Sequence, residues 1–165
     1  MVKIPSRPST RFDLANFPVT ETIKMLTCLL EKIIKANDSI VKQQPEYTCF
    51  QSRSKPSIDI QAYLTRILKY CPCANECFLS LLVYFDRMSL TCIKQLRIDS
   101  FNIHRLVISG IMVGGLPVKE LNLLELEFLA MNNYNIYISL EELQQYGDRL
   151  LMHAIREGGV LYLDS

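Results

Sequence analysis

Apolar residues recur at steps of three and four along most of the chain, a spacing that predicts helices. The stripe is clearest in VTETIKMLTCLLEKIIKAND, where we expect a helix over about 20–36 that is capped at Thr20. The polar, proline-bounded segment QQPEYTCFQSRSKP follows it and predicts a linker. Residues 1–56 therefore read as an N-terminal segment with a partly independent amphipathic helix.

Five more helical patterns follow the linker, and their sum predicts an all-α protein of about six helices. One of them, NECFLSLLVYFDRM, is apolar nearly all round from Phe78 to Phe85, which is typical of a central helix. The last begins with Ser139 three residues before Glu142, the spacing of a capping box. The only extended pattern, NIYI, is too short to make a sheet.

Composition excludes several classes of function. The 165 residues carry a net charge of +1, with no basic stripe of the kind that binds nucleic acid. The uncharged run from Leu106 to Val118 is shorter than the 18 to 20 residues or so of a membrane span. The N-terminus has no apolar signal region, so we expect a cytoplasmic or nuclear protein whose six cysteines are reduced.

Catalytic and metal-binding patterns are missing as well. The chain has no GxSxG, GxxxxGK[ST] or HExxH motif, and only two histidines. Cys71, Cys73 and Cys77 cluster in CPCANEC, but no nearby residue completes the four ligands of a zinc site. We therefore expect a binding protein without catalytic residues, metal or cofactor.

An ordered series of motifs resembles the cyclin box, most closely that of the P/U-type cyclins of the phosphate-regulation class. It consists of YLTRILKY, NECFLSLLVYFDRMS with its YxDR, FNIHRLVIS with its HRL, and GGLPVKELNLLELEFL. The resemblance covers residues 57–146 and leaves 147–165 as a helix end and tail. It implies a five-helix domain around a central helix, which binds a cyclin-dependent kinase and activates it allosterically without catalysis of its own. The alternative is a helical adaptor with a cyclin-like fold that does not activate a kinase.

The resemblance breaks between Val113 and Gly114, where the third box helix meets the glycines that precede the fifth. About twenty family positions, enough for the fourth helix and its connection, are absent there. Either the protein has lost this helix or the sequence omits a segment that the protein has. Loss would uncover side chains of the central helix, each at about 1.5 to 3 kcal/mol, which favours omission.

The resemblance also implies kinase-binding residues in the fifth box helix and just after it. They are Glu125, Leu121, Leu129 and Tyr134. Glu125 interrupts a leucine stripe, where a charge is costly unless it faces water or a partner, and its family partner is a lysine in the absent segment. The two leucines would otherwise be ordinary core residues, whereas tyrosine is enriched in interfaces.

A structural pair is implied by the same resemblance. Cyclins commonly hold a buried acid and base that join the first two box helices, and Arg66 and Asp86 occupy suitable positions here. Such a pair mainly fixes geometry. Arg87, next to Asp86 in the YxDR motif, is an alternative partner.

Overall fold

The computed structural model describes residues 11–40, 48–91, 96–115 and 123–158, apart from the side chains of 91, 114 and 115. These residues form helices and loops without a strand, which confirms the all-α prediction. None of the described helices is both long and apolar enough to cross a membrane. In chain order the helices are α1 (Val19–Asp38), α2 (Ile60–Tyr70), α3 (Asn75–Thr91), α4 (Ile103–Gly115), α5 (Leu123–Met131) and α6 (Leu140–Arg156).

The centre of the fold is α3, which packs against α1, α4, α5 and α6. Its apolar residues point in every direction around the helix axis, so each neighbouring helix buries a different part of it. Phe78, Leu79, Leu81 and Val83 are all fully buried. The prediction of a central helix at this position is confirmed.

The N-terminal helix α1 is part of the same core, because it packs against α2, α3 and α6. Asn75 fixes its start: the Asn75 amide donates to the carbonyl of Phe17 at 2.7 Å and accepts from the Thr22 hydroxyl at 2.6 Å. Leu26 and Leu30 are fully buried. The expectation of a partly independent helix is therefore wrong, and α1 begins at Val19 without the predicted Thr20 cap.

The described part of the predicted linker also packs onto the helices. Phe50 is fully buried, and its ring meets that of Phe128 on α5 edge-on, with 6.3 Å between centroids. Arg105 on α4 donates to the carbonyl of Cys49 at 2.9 Å. One aromatic residue in a polar stretch is enough to anchor it, so this part does not act as a flexible linker.

The third and fifth box helices of the sequence analysis are α4 and α5, which are connected by residues 116–122. They approach closely at Gly110, where a Cβ atom would lie 2.5 Å from Leu81 Cδ2 and 3.1 Å from Phe128 Cζ. Phe128 fills this space and is fully buried. For a chain without the fourth box helix, we expected side chains of the central helix to be uncovered. Instead, α5 packs directly on α3 and α4 and covers this part of the central helix.

The last helix, α6, starts at the predicted cap: the Ser139 hydroxyl accepts from the backbone N–H of Glu142 at 3.1 Å. It continues to Arg156 as one helix and so passes through position 146, where the resemblance ended. Gly158 follows with φ of +69°, a conformation that glycine adopts without strain.

Candidate functional site

The rotation of α5 about its axis decides which of its residues can meet a partner. Phe128 is fully buried, and its ring lies edge-on to that of Tyr84, 5.6 Å between centroids. Glu125 precedes it by three residues, lies on the same side of the helix, and is fully buried too. Leu123 and Leu126 are 69% and 46% exposed instead. Glu125 therefore does not face water in this structure, because it shares the inner side of α5 with the Phe128 ring. Its contact with a kinase stays a prediction.

Of the other three predicted contacts, Leu121 lies outside the described residues. Leu129 is half-buried on α5. Tyr134 is 70% exposed and follows Asn133, and both residues have positive φ, +56° and +54°. The backbone N–H of Tyr134 donates to the carbonyl of Leu129 at 2.8 Å, so a tight turn at the end of α5 links these two residues.

After this turn residues 135–139 belong to no helix and lie against the C-terminal half of α3, held by two α3 side chains. Arg87 Nη1 donates to the carbonyl of Asn135 at 2.9 Å, and its Nη2 donates to that of Tyr137 at 3.0 Å. The Tyr84 hydroxyl donates to the intervening carbonyl of Ile136 at 2.9 Å. We call residues 134–140 the clamped segment.

Arg87 also forms an ion pair with Glu142 on α6, with 2.9 Å between Arg87 Nη2 and Glu142 Oε2. This role of Arg87 was not predicted from the sequence. The available signal was the YxDR motif itself, since residues three apart lie on the same face of a helix and can hold the same neighbouring segment.

Exposed apolar side chains concentrate on α5 and the clamped segment. Of the ten large apolar residues that are exposed in the described chain, six lie between positions 123 and 140. Single exposed apolar residues are normal on a protein surface, whereas a contiguous apolar patch marks an interaction site, and this stretch is where we expect one. We call this set the apolar face: Leu123, Leu126, Tyr134, Ile136, Tyr137 and Leu140.

The structure does not bring Arg66 and Asp86 together. Arg66 is exposed on α2, and α2 packs against α1 and α4, not against α3. Asp86 accepts a hydrogen bond of 2.7 Å from the hydroxyl of Tyr146 on α6. Arg87, the alternative partner for Asp86, pairs with Glu142 instead. The acid of the YxDR motif therefore joins α3 to α6 through a tyrosine.

The cysteine cluster lies where α2 ends and α3 begins. Cys71 and Cys73 place their Sγ atoms 3.7 Å apart. Burial, aided by the hydrogen bond with Cys71, raises the pKa of Cys73 to about 12. A thiol with such a pKa is protonated at neutral pH and is a poor nucleophile. In the described ranges, no three His, Cys, Asp or Glu residues are arranged to hold a metal ion.

Comparison with known proteins identifies relatives of similar sequence. The chain is 38% identical to PHO85 cyclin-like protein psl1 of Schizosaccharomyces pombe, over 91% of this chain and 74% of the relative. It is 38% identical to PHO85 cyclin-7 of Saccharomyces cerevisiae, over 84% of this chain and 62% of that protein. It is 34% identical to Cyclin-U4-1 of Arabidopsis thaliana, over 73% of this chain and 74% of that protein. No solved structure gives a significant match.

These matches also bear on the break after Val113. The alignment with psl1 spans 183 positions, more than the 165 residues of this chain, so the relative contains residues without a counterpart here. A model of the cyclin family matches residues 20–113, a range that takes in nearly all of α1 and ends at the break. The chain belongs to the cyclin family, the regulatory subunits of cyclin-dependent kinases, as its motifs predicted.

Proposed function

We propose that this cyclin binds a cyclin-dependent kinase of the PHO85 type and activates it. The observation that carries the proposal is the apolar face, because it lies on α5 and directly after it, where the family resemblance puts kinase contacts. Leu129 and Tyr134 belong to this docking region, and Leu121 is proposed with them from its position in the motif. Two relatives are named as PHO85 cyclins or cyclin-like proteins, which supports the choice of kinase.

The proposed mechanism is a population shift. The chain would bind the active conformation of the kinase more tightly, in which the regulatory glutamate pairs with the strand lysine and the activation loop is ordered. The shift in the kinase equilibrium that the cyclin can produce is limited by the difference between the affinities of the cyclin for the two kinase conformations. ATP and magnesium belong to the kinase in this mechanism, and the cyclin contributes neither a cofactor nor a catalytic residue.

A second candidate function is an adaptor that binds a kinase without activating it. The observation that favours it is the burial of Glu125. In the family this glutamate and a lysine bind the kinase, but the lysine belongs to the segment that is absent after Val113. A chain without this charged pair could keep the apolar contacts and lose the ability to select the active kinase conformation.

One experiment separates the two candidates. Purified chain is added to the recombinant PHO85 kinase of Saccharomyces cerevisiae, and both the dissociation constant and the rate of phosphate transfer to a peptide are measured. Tight binding with a rise in rate supports the activating cyclin, and tight binding without a rise supports the adaptor. If the chain neither binds nor activates this kinase, the proposed function is wrong.

A further inference from the structure

We propose that Arg87 holds the clamped segment as a preformed docking surface for an apolar, basic surface of the kinase. The inference rests on the proposed function, and it adds a surface beyond α5, the residue that positions it and the chemistry of the partner surface. The segment is held through its backbone.

Three successive carbonyls, those of Asn135, Ile136 and Tyr137, accept hydrogen bonds from α3 side chains. Two of these bonds come from the guanidinium of Arg87, whose planar fork fixes direction as well as distance. The Arg87 side chain is only 19% exposed and its charge is balanced by Glu142. A charged donor in a partly buried position makes stronger hydrogen bonds than a neutral one. The backbone of the segment is therefore fixed before any partner arrives.

The side chains of this fixed backbone remain open to solvent. Tyr134, Tyr137 and Leu140 are 70%, 76% and 71% exposed. Tyrosine is over-represented among the residues that dominate binding energy in protein interfaces. A segment that is ordered in advance also loses less conformational entropy on binding. Two tyrosines and a leucine on a rigid backbone thus have the composition of an interface.

The charge around the segment indicates what the partner surface carries. From Glu125 to Asp148 the sequence has five acidic residues and no lysine or arginine, and Arg149 follows directly. Arg87 balances Glu142, and Glu125 is buried. Glu127 is half-buried and Glu141 exposed, and neither forms an ion pair within the described ranges. Opposite charge across an interface favours the correct partner and speeds association, so the partner should present lysine or arginine around its apolar residues.

Continuity with α5 favours the kinase as the occupant of this surface. The turn at Tyr134 is hydrogen-bonded to Leu129, so the clamped segment extends directly from the helix for which kinase contacts are proposed. A second copy of the chain is the competing occupant. Two like-charged acidic surfaces would repel each other, which disfavours a symmetric pair through this region.

The test measures the affinity of the full chain for the recombinant PHO85 kinase by biolayer interferometry. The variants Tyr137→Ser and Tyr134→Ser remove exposed rings, and Tyr70→Ser is the matched control because Tyr70 is 73% exposed on α2, away from this surface. We expect each of the first two changes to weaken binding about thirtyfold, the size expected of an interface hot spot, and the control to have no effect.

Arg87→Gln tests the positioning role, with Arg66→Gln as its control because Arg66 is exposed and forms no ion pair in the described chain. We expect Arg87→Gln to weaken kinase binding while helix content is kept. Hydrogen exchange should become faster at the amides of Tyr134 and Asn135, which donate to the carbonyls of Leu129 and Asn132, and a surface role alone would not cause this. Arg87→Lys, which keeps the charge but not the fork, should restore binding only in part.

The outcomes are distinct. If the wild-type chain does not bind the kinase, the proposed function and this surface fall together. If it binds, and both tyrosine variants bind equally well, the docking surface alone is wrong. The same conclusion follows if light scattering shows a dimer that the Tyr137→Ser variant dissociates, since the occupant is then a second copy.

Discussion

Tyr146 and Asp86 are joined by a hydrogen bond of 2.7 Å between α6 and α3, in which the Tyr146 hydroxyl donates to the Asp86 carboxylate. The guanidinium of Arg149 lies 5.5 Å from the centre of the Tyr146 ring. Burial, followed by the hydrogen bond and the negative charge of Asp86, raises the pKa of Tyr146 to about 12. The resemblance paired Asp86 with Arg66. In the structure Asp86 instead accepts a hydrogen bond from Tyr146, and this bond requires the tyrosine to be protonated.

This relationship predicts a loss of stability in alkaline solution. The pKa of Tyr146 is higher in the folded chain than the ordinary value of about 10, so its contribution is complete below about pH 10 and is lost as the pH rises toward about 12. Urea unfolding measured across this range should show a falling free energy of unfolding.

The Tyr146→Phe variant is the control for that prediction. It keeps the ring and removes the group that titrates, so its free energy of unfolding should fall less steeply over the same range. Burial also raises the pKa of Tyr63 and Tyr84, so a residual slope is expected. Equal slopes in the two proteins would show that Tyr146 does not contribute.

The close packing around Gly110 leads to a prediction about the free energy of unfolding. A methyl group at this position would lie 2.5 Å from Leu81 Cδ2 and 3.1 Å from Phe128 Cζ, and both neighbours are fully buried. Gly110→Ala should therefore lower the free energy of unfolding by about 1 to 3 kcal/mol despite its better helix propensity. Gln61→Ala, at an exposed position of α2, is the control and should change it by less than about 0.5 kcal/mol. A stabilised Gly110→Ala variant would mean that α4 and α5 are not in this close contact.

The burial of Phe50 indicates that the described part of the predicted linker belongs to the core. Its ring is fully buried against Phe128, so Phe50→Ala should lower the free energy of unfolding by about 3 to 5 kcal/mol. Arg53→Ala in the same segment is the control, because Arg53 is exposed. If thermal or urea unfolding gives the same stability for both variants, the segment is not packed on α5 as described.

The sequence predicts those features that depend on local periodicity. The central position of α3 follows from apolar residues around its whole circumference, and the start of α6 follows from Ser139 and Glu142. The rotation of α5 could not be predicted in this way, since leucines lie on several sides of it and allow more than one inner face. The fit of Phe128 against Gly110, a contact between separate helices, makes the choice.

The residues that bond to Asp86 and Arg87 of the YxDR motif could not be predicted from the sequence for a related reason. Arg87 bonds to Asn135 and Tyr137, about fifty residues further along the chain, and Asp86 bonds to Tyr146 at a similar separation. Charge and spacing within one helix do not reveal such contacts. The resemblance suggested an acid–base pair, but α2 does not pack against α3, so Arg66 cannot supply the base in this structure.

Glu125 gives the prediction that most directly tests the docking region. Because it is fully buried, Glu125→Gln, which keeps the shape and removes the charge, should leave the affinity for the PHO85 kinase within about twofold. Glu125→Arg should instead lower the free energy of unfolding by about 3 kcal/mol or more, since it forces a larger and oppositely charged group into the core. Urea unfolding separates this loss of fold from a loss of kinase contact. A folded Glu125→Gln variant with tenfold weaker kinase binding would contradict the expectation and show that α5 rotates on docking, bringing the glutamate to the kinase as the family resemblance implies.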